Sequence, residues 1–403
     1  MRRSGRPGVL IINQDLPLPL DRRVWLECLT LIAGYRVFVI CPKGPGDPSY
    51  QELEGVHLYK YSPPPPTTGL LAYLYEFVYC WLATAWLAMR VFKRHGFDVI
   101  QACNPPDTYF ALALPFKLLG KRFVYDQHDL CPETYLSRFE APSRLLLTGL
   151  RVLERATYLT ADHVISVNES YREVALGRGR RPAQSVTVVR TGPNVRSLMP
   201  GSRSPDLKQG RAFLGCYLGI MGPQDGVDLL LEAAHTYVHR LGRRDCHFAL
   251  IGFGDCYEDL CKMSHKLELD EWVTFAGRID GSSDSRLASY LLTADLGLSP
   301  DPKNPLNDIS TMNKTIEYMA FGLPAVAFDL KETRVAADGA ALYVEPNDVG
   351  AFATAIATLL DAPDRRAEMG QIGRERVEKA LDWDHQAGAY LKVYDQLVGR
   401  RPA

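Results

Sequence analysis

Residues 307–326 read NDISTMNKTIEYMAFGLPAV, and this stretch decides the fold class. Asp308, Ser310 and Thr311 lie ahead of a helix expected at 312–321 that carries Lys314 and Glu317, and Gly322 with Pro324 stops it. A short apolar run, 325–328, follows at once. A helix turned tightly into a buried strand is the repeating unit of a parallel sheet with crossover helices. Working outward, strands are expected at 212–218, 247–251, 273–275, 296–299 and 342–344, with helices at 227–239, 255–267, 283–292 and 349–360. Toward the N-terminus the pattern repeats, with strands expected at 9–13, 35–41, 57–61, 98–102, 122–126, 163–167 and 186–189.

A stretch rich in Ser, Pro, Gly and charge, 196–210, interrupts the alternation and reads as a linker. Two doubly wound α/β domains follow, 1–200 and 201–384, with a helix at 385–403 expected to return to the first domain. Such sheets bind ligands at the carboxyl ends of their strands, so two of them facing each other predict a site in the cleft between. The length of 403 residues fits this count, because domains average about 150 residues.

Lys and Arg number 46 against 47 Asp and Glu, which excludes whole-surface attraction to nucleic acid or anionic lipid and confines any such contact to a local patch. Nine cysteines without a Cys-x-x-Cys pair read as reduced thiols in a cytoplasm. Residues 9–12 form too short an apolar run for a signal-peptide core. Residues 70–89, LLAYLYEFVYCWLATAWLAM, are nearly long enough to span a bilayer. Glu76 within them favours a buried or half-buried helix, and the Tyr and Trp content makes membrane-interface contact at the inner face of the plasma membrane the second reading.

No dinucleotide fingerprint, Walker A sequence or His-Glu-x-x-His occurs. Gly252-Phe253-Gly254 lacks the third glycine and reads as a tight turn, and Asp382-Trp383-Asp384 begins a helix where Asp is a common cap. No metal site and no cofactor are expected. Lys314 and Glu317 project from about the same helix face behind a helix N-terminus, which offers a cation for phosphate and a carboxylate for a ribose diol. A capped surface helix with one Lys-Glu pair accounts for the spacing equally well. His128, flanked by Asp126 and Asp129, follows a strand and projects from its carboxyl end.

Together these stretches resemble a family. The run ending EYMAFGLPAV, with LPLDRRVW (18–25), FDVIQACNPPD (97–107), YDQHDLCPE (125–133), VVRTGPN (188–194) and GIMGPQDGVDLLLEA (219–233), is similar in order and spacing to family-4 glycosyltransferases of the bacterial polysaccharide branch. The resemblance implies the GT-B fold, two Rossmann-like domains facing across a cleft, and retaining, metal-independent transfer of a hexose-type sugar from UDP or GDP. The acceptor implied is a saccharide, a polyprenyl-linked saccharide or a small molecule. It implies catalytic roles for His128, Lys314 and Glu317. Arg190, Gln224, Asp225, Gly226, Arg278, Asp308, Ser310, Thr311, Asn313, Lys314 and Glu317 fall on the donor side. Asp21, Arg22, Asn104, His128 and Asp129 fall on the acceptor side, with Arg22 or Arg23 a candidate for phosphate contact. The chain departs from the family pattern where the first Glu of Glu-x7-Glu should stand: Ile309 is there, and only Asp308, one residue off, offers a carboxylate. Alternatives are a nucleotide-sugar epimerase of the same fold and a non-catalytic nucleotide-binding partner subunit. Replacing Lys314 by Ala is expected to cut turnover by more than about 100-fold and leave the fold intact.

Overall fold

The structure, a computed structural model, describes residues 5–64, 70–139, 141–195, 201–279 and 285–400, with residues 70–74 by backbone alone. It divides into two compact units: unit 1 comprises Met1–Tyr135, Ala141–Arg190 and Gln386–Ala403, and unit 2 comprises Leu136–Glu140 and Thr191–His385.

Unit 1 is built on eight strands: β1 (Gly8–Ile12), β2 (Arg36–Pro42), β3 (Tyr50–Leu53), β4 (Val56–Tyr61), β5 (Val99–Cys103), β6 (Arg122–Gln127), β7 (His163–Ser166) and β8 (Val186–Val188). Their order is β3-β4-β2-β1-β5-β6-β7-β8. All pairings are parallel except β3 with β4. The central strands β1 (GVLII) and β5 (VIQAC) are buried throughout, which is why they read as unbroken apolar runs and why Gln101 stands out among them. The sequence gives no sign of β3, because YQEL carries no apolar run; its hairpin is made by Glu54 and Gly55, both at positive φ.

Among the described residues the helices that follow these strands are α1 (Arg22–Leu31), α2 (Leu70–Arg94), α3 (Tyr109–Leu118), α4 (Cys131–Arg138), α5 (Arg144–Thr160) and α6 (Glu169–Gly177). Helix α2 is half-buried. Cys80, Leu87, Ala88 and Val91 join the core, while Tyr75, Val78, Leu82, Trp86 and Met89 face outward. Among the described residues no helix is long and apolar enough to cross a membrane.

Unit 2 has six parallel strands, β9 (Phe213–Ile220), β10 (Cys246–Phe253), β11 (Val273–Gly277), β12 (Leu296–Ser299), β13 (Ala325–Phe328) and β14 (Ala341–Val344), in the order β11-β10-β9-β12-β13-β14. Helices α7 (Val227–His235), α8 (Tyr257–Lys266), α9 (Arg286–Thr293), α10 (Asn313–Ala320), α11 (Lys331–Ala337), α12 (Val349–Leu360) and α13 (Pro363–Arg376) accompany them. The expected linker at 196–210 is anchored where it is described. Ser204 N donates to Thr293 Oγ1 (2.9 Å), and Lys208 pairs with Asp295 (2.8 Å). Residues 196–200 of that expectation lie outside the described residues. The last helix, α14 (Trp383–Val398), is separated from the preceding helical turns at Asp382, whose carboxylate accepts from Val195 N (2.7 Å) and Asp384 N (2.8 Å). The Asp-x-Asp sequence therefore caps a helix.

Strand order reverses at β1, between β2 and β5, and at β9, between β10 and β12. These are the topological switch points, where open parallel sheets leave a crevice for ligands.

Candidate functional site

In unit 1 the chain beyond β1 turns into α1 through Asp21, whose Oδ1 accepts from Val24 N (3.1 Å) and whose Oδ2 accepts from Asn13 Nδ2 (3.0 Å). Both oxygens serve the turn. Arg22 is exposed, whereas Arg23, one position on, turns inward. Its Nη1 donates to Val189 O (2.9 Å), its Nη2 to Asp126 Oδ1 (3.2 Å), and its Nε lies 3.1 Å from Glu27 Oε1.

His128 sits just past β6. Its backbone N–H and that of Asp129 donate to Asn104 Oδ1 (2.7 and 3.1 Å), and Asn104 Nδ2 donates to Asp107 Oδ1 and Asp129 O (3.0 and 2.7 Å). Asn104 is buried and fully engaged in holding this loop. His128 Nε2 is 2.9 Å from Asp126 Oδ2 and 3.1 Å from Arg23 Nε. One ring nitrogen cannot donate to the carboxylate and also accept from the guanidinium. Donation to Asp126, the charged acceptor, is favoured, and Arg23 then stays beside Glu27 Oε1 as an ion pair without a hydrogen bond to it. Burial works against a charged His128, but Asp126 outweighs it and raises the imidazole pKa. Burial would raise Asp126 too, yet His128 and Arg23 hold it below the usual carboxylate range. Glu27 goes the other way: burial and the Asp126 charge raise it, so it keeps its proton where Asp126 does not.

Glu27, Cys103, Asp126 and His128 bring ligand atoms within 4.8 Å of one another, the spacing of a metal centre. The donor set does not fit one. Arg23 and the Gln101 amide already point N–H groups at Glu27 and Asp126, and burial pushes the Cys103 thiol well above its ordinary value, keeping it protonated. Arg190 also belongs to unit 1, where its backbone N–H donates to Gln386 Oε1 (3.1 Å).

In unit 2 the loop after β9 is tied by Asp225, whose Oδ2 accepts from Gly222 N (2.9 Å), and by Asn307, whose Nδ2 donates to Gln224 O (2.8 Å). Gly226, at φ +68°, starts α7; a Cβ there would stand 2.1 Å from Pro300 O. Lys314, in the first turn of α10, packs its Cε beside Gly219, with Nζ 5.1 Å from the Tyr217 ring centroid. It is ion-paired with Asp301, whose other oxygen accepts from Ser299 Oγ (2.6 Å). The lysine expected to offer its whole charge to a ligand thus already faces a buried carboxylate. Burial, reinforced by Asp301 and opposed by Lys314, lifts Asp225 to about 6.

Met312 precedes α10 without a side-chain cap, and Asn313 is exposed. Ser310 Oγ donates to Leu306 O (2.8 Å). Thr311 and Glu317 are half-buried. Asp308 accepts from Lys331 N (3.0 Å) and faces Lys303 at 3.6 Å, so it caps α11. Arg278 is exposed and lies over the Phe253 ring at 4.6 Å.

Sequence reasoning missed Glu27, Gln101, Asp301, Tyr390 and Tyr394. A polar Gln inside a fully buried strand and an Asp two residues past a strand end were the available signals.

Two family models match the chain, "Glycosyltransferase Family 4" over residues 30–196 and "Glycosyl transferases group 1" over residues 213–362. The D-inositol 3-phosphate glycosyltransferase of Gordonia bronchialis is 28% identical over 265 residues, covering 62% of this chain and 56% of its own length. The chain therefore spans less than two thirds of that relative. A GDP-mannose-dependent alpha-(1-6)-phosphatidylinositol monomannoside mannosyltransferase of Mycobacterium tuberculosis is 24% identical over 380 residues, 83% of this chain and 96% of its own. Among solved structures, the sucrose-phosphate synthase of Thermosynechococcus elongatus aligns at TM-score 0.78 with 19% identity over 98% of this chain and 100% of its own. A protein of Anabaena solved with UDP-glucose aligns at TM-score 0.71 with 17% identity over 97% and 99%.

Proposed function

We infer the function of this chain from its family: it belongs to glycosyltransferase family 4 and has the GT-B fold. The reading is retaining transfer of a hexose-type sugar from a UDP- or GDP-sugar to a saccharide, lipid-linked saccharide or small-molecule acceptor. The observation that carries it is the buried Lys314 beside Gly219 at the switch point of unit 2, next to the uncapped start of α10. A lysine and backbone N–H groups together suit a diphosphate and stabilise its charge as it leaves. Glu317, on the same helix, is assigned to the donor's hydroxyls, and Asp225 and Gln224 to the loop that closes on it. Arg278, Asn313 and Arg190 are secondary donor contacts on this reading. His128, Asp129 and Arg22 are assigned to the reacting centre and the acceptor. Metal-independent transfer is part of this reading, with Lys314 serving the diphosphate once a neighbouring carboxylate is displaced or neutralised, and unchanged rates in EDTA test it.

The test is release of nucleoside diphosphate from UDP- and GDP-sugars offered with candidate acceptors. Interconversion of the sugar nucleotide without acceptor would replace this reading with an epimerase. The engagement of Asp308 in capping α11 favours the non-catalytic alternative, for which binding without transfer or interconversion would be the result.

Contact with an anionic bilayer, in a cytoplasmic enzyme, is the further part of this reading. Helices α2, α3 and α5 pack on one core and turn apolar residues outward: Leu82 and Trp86, Leu118, and Leu145 and Val152. Exposed Arg90, Lys93, Arg94, Arg144 and Arg151 stand beside them, the mixture that an interfacial surface requires. Sedimentation with vesicles containing phosphatidylglycerol, lost on Leu82→Ser with Trp86→Ser, supports the contact. Unchanged sedimentation, or self-association instead, removes it.

A further inference from the structure

We propose that the last helix is a working part of the His128 site: Tyr390 and Tyr394 are positioning residues that set the ring orientation and proton affinity of His128 through Gln101 and Asp126. For turnover the proposal rests on the reading of His128 given above; for the ionisation of His128 it rests on geometry alone.

Both tyrosines are fully buried on α14 and reach β5, where their hydroxyls donate to Gln101 Oε1, that of Tyr390 at 2.6 Å. The two hydroxyls are 3.0 Å apart. Burial drives both phenols well above their ordinary range, so each remains a protonated donor. Gln101 Nε2 then has one orientation. Its two N–H groups point at Glu27 Oε2 and Asp126 Oδ2, each at 2.7 Å. A flipped amide would set its oxygen against two carboxyl groups and its NH2 against two hydroxyls. A flip would lose the N–H bond to Asp126 and set the amide oxygen against its charge, so the amide is held this way round.

Asp126 Oδ2, fixed in this way, faces His128 Nε2, and Oδ1 takes Arg23 Nη2. The imidazole is therefore held by its Nε2, which leaves Nδ1 as the ring nitrogen available to a substrate. The groups facing His128 are Arg23 and Glu27 on α1, Asp126 on its own strand, Cys103 on β5, and Asp15 beyond β1. From α14 come only neutral hydroxyls. Removing them alters hydrogen bonding without changing any charge, so a shift in His128 titration reports the relay itself.

The predicted sign follows from Asp126. Replacing both tyrosines by Phe removes the two donors that fix Gln101 Oε1, so the amide loses its anchor and its N–H bond to Asp126 Oδ2 weakens. A carboxylate deprived of that N–H donor holds the His128 proton more tightly. In Tyr390→Phe, Tyr394→Phe protein, the His128 midpoint read by NMR is expected to move up by about half a unit or more, with Tyr394→Phe alone shifted less. The limb of the kcat–pH profile that follows His128 moves with it, while KM for the nucleotide sugar stays unchanged. An unmoved midpoint in a folded double variant overturns the proposal and returns α14 to a packing role. Should the double variant fail to fold, the wild type decides: ring nitrogen shifts must show the Nε2–H form and a midpoint above 6.5, the ordinary value. A bare Nε2, or a lower midpoint, overturns the relay. These titrations need no sugar transfer, so loss of the relay and loss of the assigned activity are told apart.

Discussion

The two switch points hold opposite kinds of charge cluster. In unit 1, Arg23, Glu27, Asp126 and His128 are locked by partners from α1, β5, β6 and α14, and Gln101 fixes the orientation of the whole set. In unit 2, Lys314 meets two carboxyl groups, Asp301 and Asp225, around a loop held by glycines. The first cluster is finished within the protein and suits a group whose proton must be controlled. The second has more negative than positive charge at the place proposed for a diphosphate, so ligand binding there must displace or neutralise a carboxylate. On the proposed function, preorganisation for chemistry and exchange of partners for binding are divided between the two sheets.

The largest way to break this contrast is to remove the lysine's charge. Lys314→Ala alone would strand Asp301 in a buried site, a defect costing about 3 to 5 kcal/mol, so the fold is not expected to tolerate it as freely as the sequence suggested. Lys314→Gln with Asp301→Asn keeps the site neutral, and kcat/KM is expected to fall about 1,000-fold with thermal stability near wild type. Next comes the chemistry in unit 1: His128→Ala should lower kcat about 100-fold and leave nucleotide binding unchanged in calorimetry. Weakened nucleotide binding in that variant would erase the division of labour.

A smaller effect sharpens the carboxylate argument. Asp225, lifted to about 6, carries its proton below that pH, so affinity for an NDP-sugar diester should rise as pH falls from 7.5 to 5.5, by up to about tenfold per unit. Asp225→Asn should flatten that slope. The smallest effect concerns Glu27, whose pKa is raised in the fold. The folded state then binds a proton that the unfolded state releases above its ordinary value of 4.5, and stability falls as pH rises past it. Glu27→Gln removes that fall. In denaturant titrations at pH 8 it should exceed wild type by about 1 kcal/mol, and match it at pH 4.

Much of this architecture is legible in the residues. The alternation of apolar runs and helical stretches, and the sharp stop at Gly322 and Pro324, mark parallel sheets because buried strands cannot carry polar alternation. The Lys314 helix and the His128 loop are visible for the same reason: each follows a strand end. The hairpin strand β3 is not, since an edge strand with alternating exposure needs no apolar run. Nor is the Gln101 relay, whose members at positions 27, 101, 126, 390 and 394 meet only when α14 folds onto unit 1. Asp308 shows the limit from the other side: a carboxylate in nearly the right place for a donor sugar is spent on the N-terminus of α11.

The most direct test of the account is calorimetric titration of the wild type and of Lys314→Gln, Asp301→Asn protein with UDP- and GDP-sugars. The account predicts that one nucleotide sugar binds the wild type with 1:1 stoichiometry and that the double variant binds it at least about tenfold more weakly. Equal affinity in both proteins, or no binding of either nucleotide sugar to the wild type, would contradict it.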